Sequence, residues 1–149
     1  MKKLLLFTTI LFSLVLIPQT YAQVDDEELE LSPLEKEMKI ADKAYKIIKK
    51  GLKKGSTTKN KDLIKAAKDL QGSFKKCKEL VPLKIAEMKD AKLKKKMIGE
   101  YKKAMDVAIK MTVKLEKALK AKDLKTAEAI RKELFEGKKA GHEKFQKDE

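Results

Sequence analysis

Apolar residues recur at alternating spacings of four and three positions along four stretches of the chain. This spacing places them on one stripe of an α-helix and leaves the opposite face to polar residues. In the first stretch the stripe consists of Leu34, Met38, Ala41, Tyr45, Ile48 and Leu52. In the second it consists of Leu63, Ala67, Leu70, Phe74, Cys77 and Val81. The pattern predicts two amphipathic helices, the second running from about Asn60 to Val81.

The same spacing continues in the second half of the chain. A third stretch, from about Ala91 to Lys120, has its stripe at Ile98, Tyr101, Met105, Ala108, Thr112, Leu115 and Leu119. A fourth runs from Leu124 nearly to the C-terminus and has its stripe at Leu124, Ala127, Ile130, Leu134, Lys138, His142 and Phe145. The fourth stripe therefore predicts that Lys138 and His142 share the helix face that carries the apolar residues.

Short capping motifs predict where the helices begin and end. Ser32, Pro33 and Glu35 form a capping box with a proline at the first helical position, so the first helix should start there. Pro82 disfavours helical geometry in the preceding residue and should close the second helix. Asp123 is a suitable N-cap for the fourth helix.

The links between the helices predict the fold. Gly51, Gly55 and the polar residues 56–58 indicate the end of the first helix and a turn. Residues 83–90 fit either a connector or an early start of the third helix. Four amphipathic helices with mostly short links predict an all-α fold, an antiparallel up-down-up-down four-helix bundle.

The first residues are typical of a secretory signal peptide. Lys2 and Lys3 precede an apolar run that ends near Pro18, and the small residue Ala22 follows at a cleavage position. We therefore expect residues 1–22 to be a signal peptide, 23–31 a flexible acidic leader and 32–149 the bundle. No later stretch approaches the roughly 20 apolar residues that span a bilayer. These features predict a periplasmic protein without a transmembrane segment.

The charge is strongly positive, at +14 for the full chain, and comes almost entirely from lysine. Arg131 is the sole arginine, whereas recognition of bases and phosphates favours the arginine fork. Together with export, this argues against nucleic-acid binding. The lysines are expected to form solvated outer faces and a docking surface for an acidic redox partner or an anionic membrane.

The single histidine, His142, limits the chemistry that the chain can perform. One histidine cannot build a bis-His haem or a multi-His zinc site within one chain, so a metal at His142 needs another ligand type. In the predicted bundle the first helix begins where the fourth ends, which brings Met38 and His142 to one level on neighbouring helices. No nucleophile and base pair, phosphate loop or paired carboxylates stand out, so we expect no enzyme.

Several of these residues resemble the cytochrome b562 family of periplasmic four-helix haem proteins. Its leucine and methionine in the first helix look like Leu34 and Met38, and its terminal-helix histidine looks like His142 followed by residues 143–145. The turn at residues 123–127 and the third-helix aromatic at Tyr101 also fit. The resemblance covers residues from about 32 to 146.

The resemblance implies one haem b with Met38 and His142 as axial ligands. The positions of Lys138 and Gly141 hold no cysteine, so the haem would be non-covalent. Where the family has an arginine one turn before the histidine this chain has Lys138, and Met105 stands in for a second pocket aromatic. Lys138 near a propionate, with Tyr101 and Met105 in the pocket, completes the expected site.

The implied function is a monomeric electron carrier that works with unidentified, acidic redox proteins. A haem-free periplasmic chaperone or stress sensor is the main alternative, because it needs nothing from His142. Copper handling through His142, Met38 and Cys77 is a third interpretation, since these ligands are soft. Cys77 lies on the predicted apolar stripe, however, which favours a packing role.

Overall fold

The computed structural model describes residues 31–53 and 60–146, and their fold is all-α. The helices are α1 (Pro33–Lys53), α2 (Asn60–Glu79), α3 (Leu83–Ala86), α4 (Ala91–Lys120) and α5 (Leu124–Phe145). The four long helices confirm the predicted fold class. The expected signal peptide and almost all of the acidic leader lie outside the described residues. Within the described residues, no helix is both long enough and apolar enough to cross a membrane.

The predicted caps are present at α1 and α5. Glu35 accepts a 2.7 Å hydrogen bond from the Ser32 backbone N–H, and the Glu35 N–H donates to the Ser32 hydroxyl at 3.3 Å. The Asp123 side chain accepts from the Thr126 N–H at 3.0 Å. Asp90, which the pattern did not single out, caps α4 through two backbone N–H groups. Each cap satisfies donors that the first turn of a helix leaves unpaired.

α1 and α2 run in opposite directions, because their contacts occur in opposite chain order. Lys76 pairs with Glu37 at 2.9 Å near one end, whereas Leu63 packs against Gly51 near the other. A Cβ atom at Gly51 would overlap the Leu63 side chain. Gly51 was predicted to end the helix, but it lies inside α1 and permits a close approach to α2.

α4 packs against α2 in the opposite direction as well. The Asn60 side-chain amide donates to the Leu119 carbonyl at 2.9 Å, where α2 begins and α4 ends. The buried Tyr101 hydroxyl donates to the Cys77 carbonyl at 2.8 Å, where α2 ends and α4 begins. The short link at residues 121–123 then returns the chain as α5.

The apolar side chains form two clusters. The larger one joins the four long helices and includes Ala41, Ala44, Ile48, Leu63, Ala66, Ala67, Leu70, Leu115, Ala118, Leu119, Ala127, Ile130 and Leu134. The smaller one lies at the end where α4 begins and α5 ends, and it is built on Ile85, Tyr101 and Phe145. The chain therefore has a main core and, at one end, a separate smaller cluster that we call the apolar plug.

Two predictions about the apolar stripes were wrong. Val81 is exposed, because α2 ends at Glu79 and Val81 lies in the extended segment before Pro82. Lys138 and His142 are exposed as well, although the stripe placed them with the apolar residues of α5. The buried face of α5 is interrupted between Leu134 and Phe145, where α1 gives it little cover.

Candidate functional site

An ion pair fixes the relative positions of α1 and α5. Lys138 Nζ lies 2.6 Å from Asp42 Oδ1. Met38 precedes Asp42 by one helical turn, and His142 follows Lys138 by one turn. Because the two helices run in opposite directions, Met38 and His142 lie at the same level, one turn nearer the end of the bundle. This register brings the two expected ligands to one level of the interface between α1 and α5, which we call the seam.

A hydrogen-bonded cluster closes the seam between α1 and α5 on the other side of that ion pair. The Arg131 guanidinium donates to the Tyr45 hydroxyl at 2.6 Å and makes two 2.7 Å bonds to the Glu128 carboxylate. The Tyr45 ring stacks on Phe135 with centroids 6.4 Å apart. Arg131 is buried, and these partners satisfy its charge in place of water. These contacts tie α1 to α5 in the middle of the seam.

The surroundings of His142 favour the neutral imidazole. Partial burial and the nearby Lys138 charge lower the pKa of His142, and the Asp42 carboxylate opposes them only in part. The neutral ring has a nitrogen lone pair free to bind a metal, whereas the protonated ring has none. The Asp42 carboxylate on α1 raises the pKa of His142 on α5, so the two groups lie near each other. This agrees with the register given by the ion pair.

Met38 is half-buried, and the helix that carries it packs much less against α5 than against α2. α1 packs extensively on α2 and α4 packs extensively on α5, but α1 touches α5 at few points. A groove elsewhere on α1 is lined by residues of α1 and α2, and includes neither Met38 nor His142. Met38 is half-buried and His142 is exposed, so neither donor lies inside an enclosed cavity.

Tyr101 and Met105 belong to the apolar plug. The Tyr101 ring meets Phe145 edge-on, with centroids 5.4 Å apart, and burial raises the pKa of the Tyr101 hydroxyl. Met105 is half-buried against the same cluster. Both residues lie at the end of the bundle that carries Met38 and His142, on the α4 side.

Cys77 lies apart from the seam. Its side chain is fully buried on α2, and burial raises the pKa of the Cys77 thiol to about 11. Within the described residues no group of three or more His, Cys, Asp or Glu side chains could hold a metal ion. The geometry therefore gives no support to a copper site that combines Cys77 with His142.

Asp42 is a residue of this seam that the sequence pattern did not single out, and Tyr45 was predicted only as part of the apolar stripe. Asp42 lies one turn after Met38, and Lys138 lies one turn before His142, so the matched spacing was visible in the sequence. The pairing of Asp42 with Lys138 was not visible in the sequence, because it depends on which helices become neighbours.

The donors at this seam suit the iron of a porphyrin. Met38 supplies a thioether and His142 a neutral imidazole nitrogen, which is the ligand pair that low-spin haem iron accepts. They stand on different helices at one level, where few side-chain contacts hold α1 and α5 together. No family model, characterised protein or solved structure matched this chain with significance. Its function must therefore be inferred from its own residues.

Proposed function

We propose that this chain is an exported electron carrier that binds one non-covalent b-type haem between α1 and α5, with Met38 and His142 as the axial ligands. The observation that supports this most is the register of α1 and α5. With the register that the Asp42–Lys138 pair indicates, the Met38 thioether and the His142 imidazole would come to one level, and the lowered pKa of His142 favours its neutral form.

The two ligands would set the redox behaviour of the site. Haem iron bound by methionine and histidine carries one electron, and the thioether favours the reduced state. His142 provides its lone pair at neutral pH because its pKa is lowered. If Met38 and His142 both held the iron, oxygen and substrates would find no free ligand position, which would suit electron transfer more than oxygen chemistry.

The neighbouring residues would support binding. Lys138 stands one turn from His142 and would lie near the haem edge, where its charge favours a propionate. Tyr101 and Met105 would form an apolar wall on the α4 side. Residues 138–142 read Lys-Lys-Ala-Gly-His, so the chain lacks the two cysteines that attach a c-type haem.

The environment of the proposed carrier follows from its leader and charge. Residues 1–22 would direct export to the periplasm, and the chain would work there as a monomer. Without residues 1–22, which carry Lys2 and Lys3, its charge of +12 favours redox proteins with acidic surfaces as donor and acceptor.

A haem titration followed by visible absorption tests this proposal. The chain from Gln23 onward is titrated with haemin, and its spectrum is recorded oxidised and after reduction with dithionite. Met38→Ala and His142→Ala are compared with Met111→Ala, a matched change at a half-buried methionine of the main core. We expect saturation at one haem per chain and a sharp low-spin spectrum in the wild type and in Met111→Ala.

The ligand variants should differ from the wild type in distinct ways. Met38→Ala should give a high-spin spectrum, and His142→Ala should lose most of the haem affinity. Far-UV circular dichroism identifies any variant that fails to fold. Absence of saturable binding by the folded wild type would contradict the proposal and favour a haem-free bundle that acts as a chaperone or stress sensor.

A further inference from the structure

The acidic residues of α1 are all engaged with groups other than its outer lysines. Glu35 caps the helix at Ser32, with a 2.7 Å bond to the backbone. Glu37 pairs with Lys76 of α2 at 2.9 Å, and Asp42 pairs with Lys138 of α5 at 2.6 Å. No carboxylate of α1 therefore forms an ion pair with a lysine of its outward face, although Glu35 interacts with Lys39 at longer range.

That face carries a straight row of exposed lysines. Spaced at four, three, four and three positions, they lie on one stripe of α1, and we call this stripe the lysine ridge: Lys39, Lys43, Lys46, Lys50 and Lys53. Among the described residues, no carboxylate forms an ion pair with any of the five. The stripe spans roughly 20 Å at the rise of an α-helix.

Two isoleucines flank the lysine ridge and are exposed to water. Ile40 is 44 % exposed and Ile47 is 50 % exposed. They follow Lys39 and Lys46 by one position, so each lies beside the ridge on the side towards α2. A surface that binds the lysine ridge can therefore also remove the Ile40 and Ile47 side chains from water.

We propose that the lysine ridge, with Ile40 and Ile47, adsorbs the chain onto an anionic lipid bilayer. Lysines placed along a straight helix match a flat, diffuse negative charge, whereas bidentate recognition of a defined acidic site favours arginine. The sole arginine, Arg131, is buried in the seam. The isoleucines add apolar contact with the boundary between headgroups and acyl chains.

α4 provides a matched control face. Its exposed lysines without a described ion-pair partner extend from Lys92 to Lys117, nearly twice the length of the ridge, and include Lys103, Lys110 and Lys114. Val107 is the exposed apolar residue among them. The charge density of α1 is therefore higher, although both helices are basic.

Vesicle flotation tests the proposal with charge-matched variants. The chain from Gln23 onward is mixed with vesicles of equal parts phosphatidylglycerol and phosphatidylcholine, and separately with pure phosphatidylcholine. The α1 variant carries K43E, K46E and K50E, and the α4 variant carries K103E, K110E and K114E. The net charge of the two variants is the same, so a difference between them reports on the position of the lysines.

The wild type should float with the anionic vesicles and not with pure phosphatidylcholine. The α1 variant should lose about a hundredfold in partition coefficient, and the α4 variant less than about tenfold. Ile40→Ser with Ile47→Ser should weaken the binding that persists in high salt, where charge is screened. Equal losses in the α1 and α4 variants, or no wild-type binding to anionic vesicles, would overturn the proposal. The outcome does not depend on haem.

Discussion

Asp42 and Lys138 form a 2.6 Å ion pair that joins α1 to α5. The pair shows the register of the two helices but does little to hold them, since exposed ion pairs contribute little free energy of unfolding. One turn beyond the pair towards the bundle end, the register sets Met38 opposite His142. In the other direction it leads to Tyr45 and the buried Arg131. Hydrogen bonds therefore join the two helices in the middle of the same seam.

Substitution of either member of the Asp42–Lys138 pair should change the pKa of His142. Asp42→Asn removes the opposing negative charge and should lower the pKa of His142 further, whereas Lys138→Gln should raise it. A proton NMR pH titration measures this directly, because the chain has one histidine.

Lys139→Gln is the control for this titration, since Lys139 pairs with Glu136 and does not act on His142. The wild-type pKa should lie below the ordinary histidine value. The unfolded chain then binds the proton more readily, so acid should destabilise the fold as the pH falls below that ordinary value. An unchanged pKa in Asp42→Asn would refute the register of α1 and α5.

The Tyr45 hydroxyl should stabilise the fold through Arg131. Tyr45→Phe leaves one guanidinium donor of a buried arginine without its partner, so the free energy of unfolding should fall by about 1–2 kcal/mol. Urea denaturation of Tyr45→Phe, Arg131→Met and the double variant forms a thermodynamic cycle. If the Tyr45 hydroxyl stabilises the fold through Arg131, the coupling energy of the two substitutions should be about 1 kcal/mol. Strictly additive losses would contradict this.

Two glycines should respond in opposite ways to the same substitution. Gly51→Ala would push a methyl group into the buried Leu63 side chain and should lower the free energy of unfolding by about 1–3 kcal/mol. Gly137→Ala meets open space within α5 and should raise it by up to about 1 kcal/mol through helix propensity. Urea denaturation measures both, and stabilisation by Gly51→Ala would show that α1 and α2 are farther apart.

Cys77 should be unreactive in the folded protein. The thiolate is the nucleophile, and a pKa of about 11 leaves little of it at neutral pH. Labelling with a thiol reagent should therefore be slow in buffer and rapid in urea. Fast labelling of the folded chain would place Cys77 at the surface and reopen a role for it in metal binding.

Local features of the sequence predicted local structure well. Ser32 and Glu35 form the expected capping box, and α4 runs from Ala91 to Lys120 as its stripe indicated. These features depend on residues within one or two turns of each other, so no knowledge of the tertiary fold is needed. Cys77 was likewise expected in the core and is fully buried.

Features that depend on tertiary contacts were not predictable in the same way. Val81 continues the stripe of α2, but the segment before Pro82 is extended and turns it outward. α3 has four residues, too few to show a helical period. His142 continues the stripe of α5, yet its exposure is decided by how closely α1 approaches. The spacing of residues along one helix contains no information about that distance.

One measurement tests most directly whether Met38 binds the haem iron. The chain from Gln23 onward, loaded with haem and reduced, is examined by proton NMR. A methionine methyl group bound to low-spin ferrous haem lies in the ring current of the porphyrin and resonates far upfield of the protein envelope. We predict one such three-proton signal, present in Met111→Ala and absent in Met38→Ala. If no upfield methyl signal appears, or if it persists in Met38→Ala, then Met38 is not the axial ligand and the central claim is wrong.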